Sequence, residues 1–399
     1  MTDRDAEAGG GVPRRRFGFA LAVASVTAMM AGASAPSPFY PVLAESIGFS
    51  PLVTTSVFAV YALALLATLL TAGSLSDHVG RRPVASSGLV LLAASVFVFW
   101  HAGSVPVLIL ARVLQGVASG LLLSAVSAAI TDLESPRRPG SAAVWNAVAP
   151  MLGLGIGALA AGLALDGSHD AMAVVFAPLV VVYLVLAALT RFVPETAPRA
   201  PGALRSLGFR LTVPAEMRAE FARGVPAIFA GWATGGLFLS LGASIVHAEL
   251  GGAAHVWQGL AVGVLAGSGA VAAFLLRRRS PRAIAVFGTA ALAVGTACSL
   301  GALAAGSLPA YLAAVAVTGS GFGTAFFGVV SSLAPHIPAS QRADVFAVVF
   351  LVSYLAFGVP TVVAGLLVEF AGLAPVAFGY GAVVIVFAGA ACVVRVLQR

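Results

Sequence analysis

Long apolar runs separated by short polar turns recur twelve times along this 399-residue chain. They predict helices over residues 17–40, 52–75, 83–100, 106–131, 141–165 and 172–192, followed by a second six over 224–247, 256–276, 283–304, 308–335, 345–370 and 374–397. Each run can cross about 30 Å of hydrocarbon at a rise of about 1.5 Å per residue. The pattern is that of a polytopic all-α membrane protein, with the lipid bilayer as its first partner.

Charge orders the crossings. The chain has no Lys, and its Arg residues fall in alternate connections: Arg14 to Arg16, Arg81 and Arg82, Arg137 and Arg138, the stretch from Arg191 to Arg223, Arg277 to Arg282, Arg342, Arg395 and Arg399. The intervening loops hold Glu45, His101, Asp166, His169, Asp170, His247, Glu249, His255 and Glu369 instead. Basic residues near spans stay on the cytoplasmic side, so both termini are expected there. The net charge of +7 is therefore read as a topology signal, and no nucleic-acid partner is expected.

Composition agrees, with 60% hydrophobic and 9% charged residues and a mean hydropathy of +1.01. Cys298 and Cys392 both lie in predicted spans, which supports neither a disulfide framework nor a metal site. The segment Arg14-Arg15-Arg16-Phe17 with Ala31-Gly32-Ala33-Ser34-Ala35 resembles a twin-arginine export signal, but cleavage after Ala35 would leave an odd number of spans. It is read as the first span.

The one long connection divides the chain in two. The expected organisation is a cytoplasmic tail over residues 1–16, a six-helix half over 17–193, a linker over 194–223 carrying one amphipathic turn, and a second six-helix half over 224–399. Gly116 and Gly120 in the fourth span are echoed by Gly319 and Gly323 in the tenth, and Pro150 and Gly155 in the fifth by Pro360 and Gly365 in the eleventh. Small residues four apart let helix backbones approach, and their recurrence in two halves is what a duplicated transporter shows. Pro150 and Pro360 mark places where a helix can kink.

Between the second and third spans lies Gly73-Ser74-Leu75-Ser76-Asp77-His78-Val79-Gly80-Arg81-Arg82. In physical terms Gly73 admits a neighbouring helix, Gly80 permits a tight turn, Asp77 can face the positive end of an adjacent helix, and Arg81 can pair with Asp132 or Glu134. This stretch resembles the loop signature of the major facilitator superfamily, G-x-L-(A/S)-D-(R/K)-x-G-R-(R/K), and departs from it only at His78, where the family has a base. The resemblance implies that the adjacent helix is the eleventh and that these contacts gate the cytoplasmic side.

Two further stretches resemble the same family. Arg112-Val113-Leu114-Gln115-Gly116 matches its R-x-x-Q-G motif, in which the Arg is implicated in proton coupling. Arg112 is the one Arg placed inside the membrane, where a charge costs about 2.5–3.5 kcal/mol, so it should face the protein interior or snorkel outward. Ala149-Pro150-Met151-Leu152-Gly153 is a degraded form of the G-P-x-x-G-G core of proton antiporters, in which Ala149 and Leu154 replace two glycines.

The family lines its central site with spans one, four, seven and ten, which here carry Arg112, Gln115, Trp232 and Phe322; Trp145, Asn146 and Tyr354 stand on neighbouring spans. Aromatics with few charges favour a neutral, partly apolar or anionic substrate over a sugar. No acid lies in the middle of a span, so a proton carrier would have to be an end-of-helix acid such as Asp77, Glu249 or Glu369, or His247. The sequence carries no P-loop, no H-E-x-x-H and no polar set at one membrane depth, so no enzyme and no cofactor are expected.

The expectation is a monomeric carrier of a small amphipathic molecule, working by alternating access and driving efflux against protons. A facilitator, an uptake symporter or a non-transporting membrane scaffold are the alternatives. Richness in Ala, Gly and Arg without Lys points to a GC-rich bacterial genome and its cytoplasmic membrane.

Overall fold

The computed structural model describes residues 3–197, 200–203, 207, 208, 211, 213–333, 337 and 342–397, with the backbone alone for 3–12, 342 and 343. Among the described residues it is all helical. The first half comprises α1 (Asp3–Ser34), α2 (Phe39–Ile47), α3 (Pro51–Ala72), α4 (Leu75–Val79), α5 (Arg81–Trp100), α6 (Val105–Asp132), α7 (Ser141–Gly167) and α8 (Ala171–Leu189). The second comprises α9 (Arg218–Ser240), α10 (Gly242–Ala248), α11 (His255–Leu276), α12 (Pro281–Ala304), α13 (Leu308–Leu333), α14 (Arg342–Ala371) and α15 (Leu373–Leu397). Eleven helices among the described residues are long and apolar enough to span a membrane, and the pair α9–α10, bent by 55°, supplies a twelfth when taken as one span.

The helix starts follow local chemistry. Pro51, Pro106 and Pro281 stand in the first turns of α3, α6 and α12, where a missing N–H costs nothing. Ser280 and Asp170 cap α12 and α8 by accepting from Ala283 N at 3.3 Å and Ala173 N at 2.9 Å. Spans one and seven both break near one end. Pro36 and Pro38, which supply no N–H, end α1 before the short α2, and Leu241 separates α9 from the short α10. The span expected over 17–40 is thus a longer helix from Asp3 through Pro13 to Ser34, followed by a separate turn.

Small residues set the helix pairs, and the two halves repeat one another. Gly116 and Gly120 of α6 lie on α3, where a Cβ at Gly116 would sit 2.5 Å from the Tyr61 carbonyl. Gly319 and Gly323 of α13 lie on α11 in the same way, with the Gly269 carbonyl 2.5 Å from a Cβ at Gly323. Contacts between halves use the other matched pair: Gly155 of α7 faces Gly263 of α11, and Gly365 of α14 packs on Thr55 of α3. Large apolar side chains such as Val181, Leu275 and Val386 remain exposed on the outside of the bundle, as a lipid-facing wall requires.

Candidate functional site

The loop after α3 is built around Gly80, whose φ of +109° lets the chain turn directly from α4 into α5. Arg81 then reaches back. Its Nη1 pairs with the Asp77 carboxylate and donates to Ser76 Oγ at 2.6 Å, while its Nε lies 3.5 Å from Asp132 Oδ2 at the end of α6. Asp132 also accepts from Thr196 Oγ1 at 2.8 Å, and Arg15 caps the end of α6 by donating to the Asp132 carbonyl at 3.0 Å. Arg82 points elsewhere, donating to the Thr190 and Arg191 carbonyls at the end of α8.

One expectation changes here and two are narrowed. Gly73 does not admit a neighbouring helix: a side chain there would meet the Leu69 carbonyl of its own preceding turn. Glu134 does not pair with Arg81; it caps α7 by accepting from Ala142 N at 2.8 Å and Ser141 Oγ at 3.2 Å. Asp77 is half exposed and, among the described residues, pairs with Arg81. Residues 338–341, which precede α14, lie outside the described residues.

Glu195 escaped the sequence reading. Its carboxylate accepts from Arg81 N at 2.8 Å and Arg82 N at 3.1 Å, so the linker supplies the N-terminal cap of α5. Ala200 N donates to the His78 carbonyl at 3.0 Å and Gly208 N to the Thr71 carbonyl at 3.1 Å, so this early part of the linker rests on the first half, while Met217 and Glu220 pack on the second. No spacing rule joins positions 80 and 195, and only the fold brings them together.

Arg112 is fully buried in α6 and does not snorkel. Its guanidinium donates to Tyr40 Oη at 2.6 Å and to Gln115 Oε1, and Gln115 Nε2 donates to the Gly32 carbonyl of α1 at 2.9 Å. The rings of Tyr40, Tyr61 and Phe99 surround it with centroids at 5.6, 5.7 and 5.3 Å, a cation–π cage inside the first half. Its Nε has no hydrogen-bond partner among the described residues. Arg112 and Gln115 therefore join α1, α2, α3, α5 and α6. Arg395, grouped by sequence with the arginines of the cytoplasmic side, is also buried; it pairs with Glu220 Oε1 at 3.2 Å.

The boundary is aromatic. Trp232 of α9 contacts Phe326, Tyr354 and Phe357 at centroid distances of 5.6, 4.8 and 5.9 Å, and Phe357 reaches Phe58 of α3 at 4.9 Å. Phe322 packs on Gly235 of α9. Of the expected lining residues, Trp232, Phe322 and Tyr354 thus gather here; Asn146 holds the Ser127 carbonyl weakly at 3.4 Å, and Trp145 is exposed. Pro150 and Pro360 lie inside α7 and α14, the helices that carry the contacts between halves.

A sequence-family model described as Major Facilitator Superfamily matches residues 21–361, from the second half of α1 to the residue after Pro360. The chain belongs to the major facilitator superfamily. Within it, the sequence is similar to the multidrug resistance protein MdtL of Shewanella oneidensis, at 28% identity over 121 residues, covering 28% of this chain and 31% of MdtL. It is also similar to the quinolone resistance protein NorA of Staphylococcus aureus, at 28% identity over 96 residues, covering 24% of this chain and 25% of NorA. The chain thus aligns with less than a third of either relative. Among solved structures, the human organic anion transporter MFSD10 (TETRAN) superposes with a TM-score of 0.68 at 19% identity, over 94% of this chain and 99% of that one, which establishes the shared fold. The superfamily is one of membrane transporters.

Proposed function

We propose that this chain exports a small amphipathic molecule across the bacterial cytoplasmic membrane by alternating access, with protons moving in exchange. The arginine-rich face, with both chain ends, is the cytoplasmic one. The observation that carries the transport reading is the superfamily match across residues 21–361, joined to the paired small-residue contacts that relate the halves. Similarity to MdtL and NorA supports the direction and the drug-like substrate class.

The aromatic cluster around Trp232 is the proposed contact surface for the substrate, with Phe322 and Tyr354 beside it. It is largely apolar and lacks the many paired polar groups a sugar would need, so it suits a partly apolar amphipath better than a sugar. Asp77, Gly80, Arg81, Arg82 and Asp132 form the proposed cytoplasmic gate, and Arg112 with Gln115 the proposed coupling element. One observation favours a second reading. None of the chain's 15 acidic residues lies in the middle of a span, as a facilitator would have it.

Reconstitution in liposomes loaded with a pH-sensitive dye, challenged with amphipathic drugs and small metabolites, tests both readings. A saturable substrate-dependent proton signal is expected. Substrate flux without proton movement would leave a facilitator, and flux of neither kind across the panel would overturn the amphipathic substrate class and leave transport resting on the superfamily match.

A further inference from the structure

The two halves meet at the arginine-poor face through a carboxylate. Asp166, in the last turn of α7, accepts from the backbone N–H groups of His255 and Val256, both at 2.8 Å, and from His255 Nδ1 at 3.0 Å. These groups form the N-terminus of α11, whose unpaired N–H groups and dipole make it a site for a negative charge. The cap therefore comes from the opposite half of the molecule. One turn earlier Gly162 leaves room for the chain to arrive, since a Cβ there would sit 2.7 Å from the His255 carbonyl. A second polar contact between halves lies at the same face, where Ser37 in the break after α1 donates to the Leu239 carbonyl at 2.7 Å, beside the break after α9.

The loop after α3 offers a counterpart at the opposite face. α11 and α14 run in opposite directions, so their N-termini lie at opposite faces, and each face has a first-half carboxylate at the end of a helix. Asp77 stands at the arginine-rich face, paired within its own half, and Asp166 at the arginine-poor face, bound to the other half. The remaining titratable groups of that face include Asp170, which caps α8 within the first half, and His169, His247, Glu249, Glu369, His101 and Glu45.

We propose that Asp166 is the gating residue of the arginine-poor face: its carboxylate, capping α11 across the boundary between halves, holds that face shut and must leave α11 each time the face opens. The inference rests on the alternating-access reading. Asp166 alone among the carboxylates of that face accepts hydrogen bonds from the opposite half among the described residues, so it couples the helix cap to domain motion. Asn can still accept one N–H but brings no charge to the helix end, and Ala removes both contributions.

The test uses the full chain with Cys298 and Cys392 replaced and spin labels at His169 and Ala253 for the arginine-poor face, or at Arg138 and Arg278 for the other. Distance distributions are measured in liposomes without substrate. Asp166→Ala is expected to lengthen the 169–253 distance and shorten the 138–278 distance, raising the open-to-closed ratio about fivefold, the usual weight of an N-cap. Asp166→Asn should fall between Ala and the parent. Asp170→Ala, which removes a cap of the same kind inside one half, should leave both distributions unchanged, and this separates gating from general loss of helix stability. Unchanged distances in Asp166→Ala and Asp166→Asn would overturn the proposal whatever the flux. Shifted distances would uphold it even for a chain that moves no member of the panel.

Discussion

Arg82 and Arg282 make the same contact in the two halves. Each is the second residue of its helix, α5 or α12, and each donates Nε and Nη2 to consecutive carbonyls at the end of the last helix of its own half. Arg82 closes α8 through Thr190 and Arg191, and Arg282 closes α15 through Arg395 and Val396. A guanidinium at a helix C-terminus satisfies orphan carbonyls and opposes the negative end of the dipole. The duplication therefore preserves a structural bond even where the surrounding loop has diverged, since the position five residues before the Arg is Asp77 in one half and Arg277 in the other.

Arg82→Ala and Arg282→Ala should each destabilise the protein by about 1 kcal/mol, because both sites are partly exposed and screened. The double variant should lose the sum, since the two contacts share no partner. Thermal unfolding in detergent checks this, and a neutral double variant would show that neither contact matters to stability.

Gly319→Ala and Gly267→Ala should move stability in opposite directions. A methyl at Gly319 would run into the Leu265 carbonyl of α11, whereas Gly267, in α11 itself, has open space around it. Overpacking costs about 1–3 kcal/mol, and replacing an unconstrained helical Gly by Ala gains about 0.5–1 kcal/mol. Equal effects would refute the close approach of α13 and α11.

The spans were legible because an apolar run of about 20 residues has few alternatives, and Pro51, Pro106, Ser141 and Pro281 lie within a residue or two of where their helices begin. The matched glycines were legible for the same reason, as recurrence at equal depth. The carboxylates were not. Asp166 read only as a loop acid and Glu195 drew no reading at all, since nothing in the nearby sequence says which helix of another segment ends opposite them. Arg395 was legible only as a charge of the arginine-rich side; its burial against Glu220 and the first turns of α9 was not. Gly73 suggested a helix crossing because glycine also serves where a chain turns against its own carbonyl.

Arg112→Ala should lower stability by about 3 kcal/mol and abolish flux. It leaves the Tyr40 hydroxyl and the Gln115 carbonyl without their buried partner. Tyr40→Phe keeps the cation and most of the ring contact, so it should cost about 2 kcal/mol while flux survives at saturating substrate. Unfolding midpoints and proteoliposome flux, taken together, separate the two roles. A stable Arg112→Ala protein with normal flux and proton movement would remove Arg112 from both.

Asp77→Asn should separate folding from transport. Its ion pair with Arg81 is four residues apart and half exposed, a geometry worth at most about 1 kcal/mol, and Arg81 retains Ser76 and Asp132 after the change. Insertion, yield and unfolding midpoint should therefore match the parent. If Asp77 must leave Arg81 to hold the N-terminus of α14 when the cytoplasmic face closes, the neutral amide weakens that state alone, and flux should fall at least about tenfold, the effect of about 1.4 kcal/mol on one conformational step. Glu195→Gln, which perturbs the cap of the adjacent α5 without touching Asp77, should instead cost stability and spare flux. Normal flux in Asp77→Asn would reduce the loop to a topology signal, and equal loss of flux in both variants would show that the loop's order, and not the charge of Asp77, is what the cycle requires.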